Sequence, residues 1–112
     1  MTNTIELSLV IPGLAEYATK KSRQFPAALE KIIIFGSFAK GTARVSSDVD
    51  IALVSANNWQ ISDKGDIRDI FEEFSPSMNL SLFFTTQDRL MIDDKRDANH
   101  WIRREGITIW KR

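Results

Sequence analysis

Two carboxylates two residues apart, Asp48 and Asp50, follow a glycine–serine turn, Gly36-Ser37, after ten intervening residues in the stretch GSFAKGTARVSSDVD. Side chains at i and i+2 of a strand share a face, so a strand here aims both acids the same way, roughly 7 Å apart. Two like charges that close oppose each other's ionisation unless a cation lies between them. A hard divalent ion, Mg2+ or Mn2+, suits the pair, because it takes one or two carboxylates and completes its shell with phosphate oxygens. Asp48 and Asp50 are therefore the candidate metal ligands and catalytic residues. The turn supplies the complementary half. If Ser37 opens a short helix, the N–H groups around Gly36, Ser37 and Phe38 have no intrahelical partner and favour an anion. The Ser37 hydroxyl adds a donor, and Lys40 and Arg44 lie close enough in sequence to offset the charge of a polyphosphate. Anion cradle and acidic pair together suit phosphoryl or nucleotidyl transfer from a nucleoside triphosphate. Either half alone is common as a plain turn or a solvated strand entry. Both together, at this spacing and between two apolar runs, argue for a site.

Those residues need strands on either side. Ile32-Ile33-Ile34-Phe35 is too short and too β-branched for a helix and reads as a buried strand, and Asp48–Val54 reads as a second. Gly41-Thr42 would end the short helix between them. Upstream, Pro12, Leu14, Tyr17, Ala18 and Phe25 suggest an amphipathic helix ending near Pro26. Downstream, Ser62 or Asp63 could cap a helix carrying Ile67, Ile70, Phe71 and Phe74 at helical spacing, stopped by Ser75-Pro76. Leu80–Phe84 reads as a third strand. Thr86 could cap a helical stretch with Leu90, Met91, Ala98, Trp101 and Ile102, broken near Asp93–Asp97. Arg103-Arg104 before Gly106 place cations at the negative pole of a helix end, and Ile107–Trp110 forms a last short strand.

The spacing Gly-Ser, ten residues, Asp-x-Asp resembles the signature of the DNA polymerase beta nucleotidyltransferase superfamily, and most closely its minimal nucleotidyltransferases. The fuller pattern GSxAxG followed by SDxD is met by Gly36, Ser37, Gly41, Ser47, Asp48 and Asp50, with Lys40 where a basic residue is usual, and Arg104-Glu105-Gly106 before a strand looks like the ending common in that family. The resemblance covers roughly residues 14–110 and implies an α+β, two-layer architecture: a small mixed β-sheet with helices packed on one face; the length suits a single domain, residues 1–112. It implies nucleotide binding by Gly36, Ser37, Lys40, Arg44 and Ser47, with Asp48 and Asp50 holding Mg2+ or Mn2+. It also implies transfer of an NMP group, AMP from ATP, to an acceptor hydroxyl. Minimal nucleotidyltransferases are often paired with small helical HEPN toxins and serve as their antitoxins, so the acceptor implied is a tyrosine of such a partner. One position departs from the pattern. A third acid is expected on a later strand, and the matching segment Met78-Asn79-Leu80-Ser81-Leu82 offers Asn79. An amide oxygen can touch a metal, but it carries no charge and takes no proton from an attacking hydroxyl. The alternative reading is a degenerate nucleotidyltransferase fold that binds nucleotide or neutralises a partner.

Composition fits this reading. The 112 residues are 43% apolar and 27% charged, an ordinary globular balance for one domain. Fifteen basic against fifteen acidic residues leave no net charge, which disfavours broad nucleic-acid binding. Without cysteine there is no disulfide or thiolate metal site. No run approaches a membrane span and the N-terminus has no basic, apolar leader pattern, so a soluble cytoplasmic protein is expected, free to form oligomers. Of the remaining candidates, Asp93, Asp94 and Asp97 are interrupted by Lys95 and Arg96 and read as a solvated face. His100 reads as a partly exposed structural histidine rather than a general base. Trp59, Trp101 and Trp110 read as packing residues, with base stacking as the alternative and, for Trp101 and Trp110, a partner surface.

Overall fold

The computed structural model describes residues 7–74 and 79–112. The expected helix stop Ser75-Pro76 and Met78 beside Asn79 lie outside the described residues. In chain order the elements are α1 (Leu7–Lys21), a 3-10 turn (Ser22–Gln24), β1 (Leu29–Phe35), α2 (Ser37–Lys40), β2 (Val49–Ser55), α3 (Ile61–Glu72), β3 (Leu80–Thr86), α4 (Gln87–Leu90), α5 (Ala98–Glu105) and β4 (Ile107–Lys111).

The strands form a mixed four-stranded sheet in the order β3-β2-β1-β4. β1 runs antiparallel to both β2 and β4, while β2 and β3 are parallel. A parallel pair needs a crossover, and α3 provides it. Alternation along β1 and β2 sends Ile32, Ile34, Val49, Ile51 and Leu53 into the larger core, where they meet Val10, Leu14 and Ala18 of α1 and Ile67, Ile70 and Phe71 of α3. Ile33, Ala52 and Val54 point to the opposite face, where Leu90 of α4 and Ile102 of α5 form a smaller cluster. The mixed sheet with helices packed on it is as expected. The C-terminal helices add a partial cover on the second face, beyond the two layers that the family resemblance implied.

Several boundaries differ from the sequence expectation. α1 is already helical at Leu7, and Pro12 lies inside it rather than opening it. The apolar series Leu7, Val10, Ile11, Leu14, Ala18 runs through the proline, and its burial against the sheet outweighs the one hydrogen bond that Pro12 cannot donate. The helix closes at Lys21, short of Pro26, with Lys20 and Lys21 in its last turn. α3 is preceded by Gln60, whose side chain makes no cap, so Ser62 and Asp63 sit in the first turn instead. Thr86 does cap α4, its hydroxyl accepting from the Arg89 N–H, and Asp97 caps α5 by accepting from the Asn99 N–H. No helix among the described residues is long and apolar enough to cross a membrane.

Candidate active site

The two acids flank the start of β2, one of the sheet's two inner strands: Asp48 immediately precedes it and Asp50 is its second residue. Asp50 lies opposite Phe35 of antiparallel β1 and opposite Ser81 of parallel β3. Because Val49 and Ile51 enter the larger core, Asp50 points to the other face, and strand alternation carries Asp48 to the same side. β1 ends at Phe35, and Gly36 turns the chain directly against the Asp50 carboxylate. Gly36 has φ 73° and ψ −149°, a backbone region open essentially to glycine alone. A β-carbon at this position would lie 2.1 Å from Oδ2 of Asp50. Gly36→Ala is therefore expected to destabilise the fold by about 1–3 kcal/mol through backbone strain and to push the Asp50 carboxylate out of place. Thermal melts and nucleotide titration check this; a variant with wild-type stability and affinity contradicts the close approach.

Burial raises the pKa of Asp50, and the neighbouring Asp48 charge raises it further. The charged pair is thus held together against desolvation and mutual repulsion, the situation that a bound cation relieves. The donors are carboxylate oxygens on one face, which fits a hard divalent ion. Among the described residues no cluster of three or more acids, histidines or cysteines accompanies them. The shift has a sign in stability. A carboxyl with a folded pKa above its unfolded value takes up a proton on folding, so stability falls as pH rises through the folded pKa. Without metal, Asp50→Asn is expected to melt higher than wild type at about pH 7, with the difference closing below about pH 4. Melting curves across that range check it, and a lower neutral-pH melting temperature for Asp50→Asn contradicts the assignment.

Asn79 immediately precedes β3, and its carbonyl accepts the Val49 N–H at 2.9 Å, which sets the start of the parallel register. That register brings the Asn79 side chain beside Asp48, where Nδ2 donates to Asp48 Oδ1 at 2.6 Å. The residue found where a third acid is expected thus touches the first acid of the pair. As an amide it holds Asp48 through a hydrogen bond rather than adding a third negative charge.

The turn residues are placed as follows. Ser37 opens α2, and its carbonyl accepts from the Thr42 N–H at 3.0 Å, closing the turn. Gly41 ends α2 in the left-handed conformation. Ser47 is engaged locally: its hydroxyl accepts the Arg44 N–H at 2.8 Å and its own N–H reaches the Arg44 carbonyl at 2.9 Å. It shapes the loop that delivers Asp48, while the Arg44 side chain is exposed. Lys40 leans toward α5, with Nζ 3.9 Å from Glu105 Oε2 and 6.0 Å from the centre of the Trp101 ring. The structure thus brings Gly36, Asp48, Asp50 and Asn79 together and draws Lys40 to the side.

The profile of the polymerase beta nucleotidyltransferase family matches residues 16–112. The chain belongs to the polymerase beta nucleotidyltransferase family. No curated protein matches it in sequence. Among solved structures, a candidate nucleotidyltransferase of Sulfolobus solfataricus superposes with a TM-score of 0.58 at 21% identity, over 95% of this chain and 84% of that one. A toxin–antitoxin complex with AMP-PNP gives 0.59 at 18% identity, over 93% and 75%. The tri-AMPylated Shewanella oneidensis HEPN toxin in complex with its MNT antitoxin gives 0.52 at 13% identity, over 96% and 74%. At these identities the likeness is one of fold.

Beside this nucleotidyltransferase motif, the other polar candidates are mostly used structurally. Asp94 is held by a two-point pair with Arg96, at 3.1 and 3.0 Å, which lowers its pKa, and Asp97 is the α5 cap. Trp59 donates to the Thr85 carbonyl and packs edge-on to Phe84, and Trp110 packs edge-on to Phe25. Trp101 donates to the Lys95 carbonyl and stands edge-on to His100. His100 corrects the expectation of partial exposure, because it is buried at 4% exposure. Sequence reasoning missed the company Lys40 keeps with Trp101 and Glu105. Their i, i+4 spacing on one helix was the available signal.

Proposed function

We propose that this protein is a Mg2+- or Mn2+-dependent nucleotidyltransferase that moves AMP from ATP to an acceptor hydroxyl, working in the cytoplasm as the antitoxin of a small HEPN-type helical partner. The observation that carries this reading is the Gly36 turn, built with glycine-only geometry against a carboxylate that shares its face with a second one. In this reading the Gly36-Ser37 turn binds the β- and γ-phosphates. Asp48 and Asp50 would hold the metal, which would supply charge stabilisation for the leaving pyrophosphate. Arg44 offsets phosphate charge from the exposed loop, Lys40 does so after leaving Glu105, and Ser47 keeps the loop in register. An acceptor tyrosine of the partner would supply the attacking oxygen. The fold neighbours support this choice, since they include a HEPN toxin carrying AMP groups in complex with an MNT antitoxin.

A second reading rests on Asn79. Its amide donates to Asp48, and among the described residues no third carboxylate accompanies the pair to take a proton from the acceptor. On this reading the protein binds nucleotide and neutralises a partner by complex formation alone. Incubation with labelled ATP, Mg2+ and a HEPN-type partner separates the two, with mass analysis of the partner's tyrosines. Added AMP supports the transferase; a tight complex with unmodified tyrosines supports the binding protein.

A further inference from the structure

On the helix that partly covers the active-site face, His100, Arg103 and Arg104 fall at i, i+3 and i+4, so their side chains share one flank of α5. With Met91 and Asp93 they line a cavity of about 320 Å³. Both ring nitrogens of His100 are buried without a hydrogen-bond partner. Asp93 stands with Oδ1 3.6 Å from Nδ1, too far for a hydrogen bond. Whichever nitrogen carries the proton, an imidazole holds at least one N–H donor, and leaving it unpaired in the interior costs about 1–3 kcal/mol. Arg103 and Arg104 are exposed, and neither enters an ion pair among the described residues. Arg96, by contrast, is neutralised by Asp94.

The geometry points to a phosphate-binding site in this cavity, separate from the Asp48/Asp50 centre and independent of the function proposed for it. Two exposed guanidiniums offer more donors than a single carboxylate can accept, whereas a phosphate group has enough oxygens to receive them and also the His100 imidazole, whose solvent-closed Nδ1 is reached when the ligand displaces the exposed Asp93 carboxylate beside it. Among the described lining residues Asp93 is the one acid against two arginines, so the lining favours an anion. The ligand is free phosphate or the phosphate of a mononucleotide. The absence of net charge on the chain speaks against a nucleic-acid backbone. The Trp101 ring lies 4.9 Å from the His100 ring and 6.0 Å from Lys40 Nζ, so a single side chain separates this pocket from the residue next to the phosphate turn.

His100 is the chain's sole histidine, which makes its imidazole resonances a clean probe. Inorganic phosphate and, separately, AMP are titrated into Asp48→Ala/Asp50→Ala protein at constant pH and ionic strength, so that the metal-dependent site cannot produce the response. The expected result is a saturable shift of the His100 signals, weakened at least ~10-fold by adding Arg103→Gln/Arg104→Gln, as loss of charge-assisted contacts predicts. Both arginines are exposed, so these changes leave the core intact, and the amide spectrum verifies the fold. Equal affinity for phosphate and AMP identifies the phosphate alone as the ligand; tighter AMP identifies a nucleotide. Signals that do not saturate, or that saturate equally without the arginines, overturn the proposal.

Discussion

Asp48→Ala/Asp50→Ala is expected to lose transfer of labelled AMP from ATP by on the order of 10³-fold or more, because metal stabilisation of phosphoryl charge is worth several kcal/mol. The loss should not come from unfolding. Neither residue belongs to the apolar core, and Asp50 carries a raised pKa from burial and from Asp48, so removing both charges relieves an unfavourable pair. The double variant should accordingly melt no lower than wild type without metal and gain nothing from added Mg2+, whereas wild type should melt higher as Mg2+ rises. A variant that keeps transfer activity would place the chemistry elsewhere.

The second large effect runs in the opposite direction. Asn79→Asp places a carboxylate beside Asp48, where the amide now donates at 2.6 Å. A positioned general base contributes about 10²–10⁴ in rate, so recovery of even part of that gives a gain of roughly 10–10³-fold in AMP transfer. The same change adds a third negative charge to a site that already strains to hold two. The metal-free variant should melt below wild type, and Mg2+ or Mn2+ should restore its stability more steeply than in the parent. Transfer kinetics and melting curves with and without metal check both arms. A rate that is unchanged or lowered means that Asn79 is not the missing base's position in the reaction. Two inactive proteins that still bind the partner tightly favour the binding reading.

The parts of this protein that could be read from its sequence are those fixed locally. Ile32–Phe35 and Ile51–Val54 are strands because β-branched runs of that length suit a pleated, buried sheet, and the motif spacing follows from joining them through one short helix. Capping by Thr86 and the helix end at Arg103-Arg104 also depend on neighbours in sequence, whereas Asp97, read as part of a solvated face, caps α5. The start of α1 was not legible, because proline propensity argues for a boundary that packing against the sheet overrides. The site splits in the same way. Asp48 and Asp50 share a face by strand alternation alone. That Asn79 touches Asp48 needs the parallel β2–β3 register, and that Lys40 turns toward Glu105 needs α5 folded back over the sheet. The burial of His100 is of this second kind, since it depends on a loop and a helix meeting on a face where the helical pattern alone gave no sign of cover.

Calorimetric titration of ATP into the protein with Mg2+, and again with the metal chelated, tests the central claim most directly. Binding should be saturable and metal-dependent in wild type, and absent in Asp48→Ala/Asp50→Ala. Equal affinity in the two proteins, or affinity indifferent to Mg2+, would contradict the assignment of these carboxylates and the Gly36 turn as the nucleotide site.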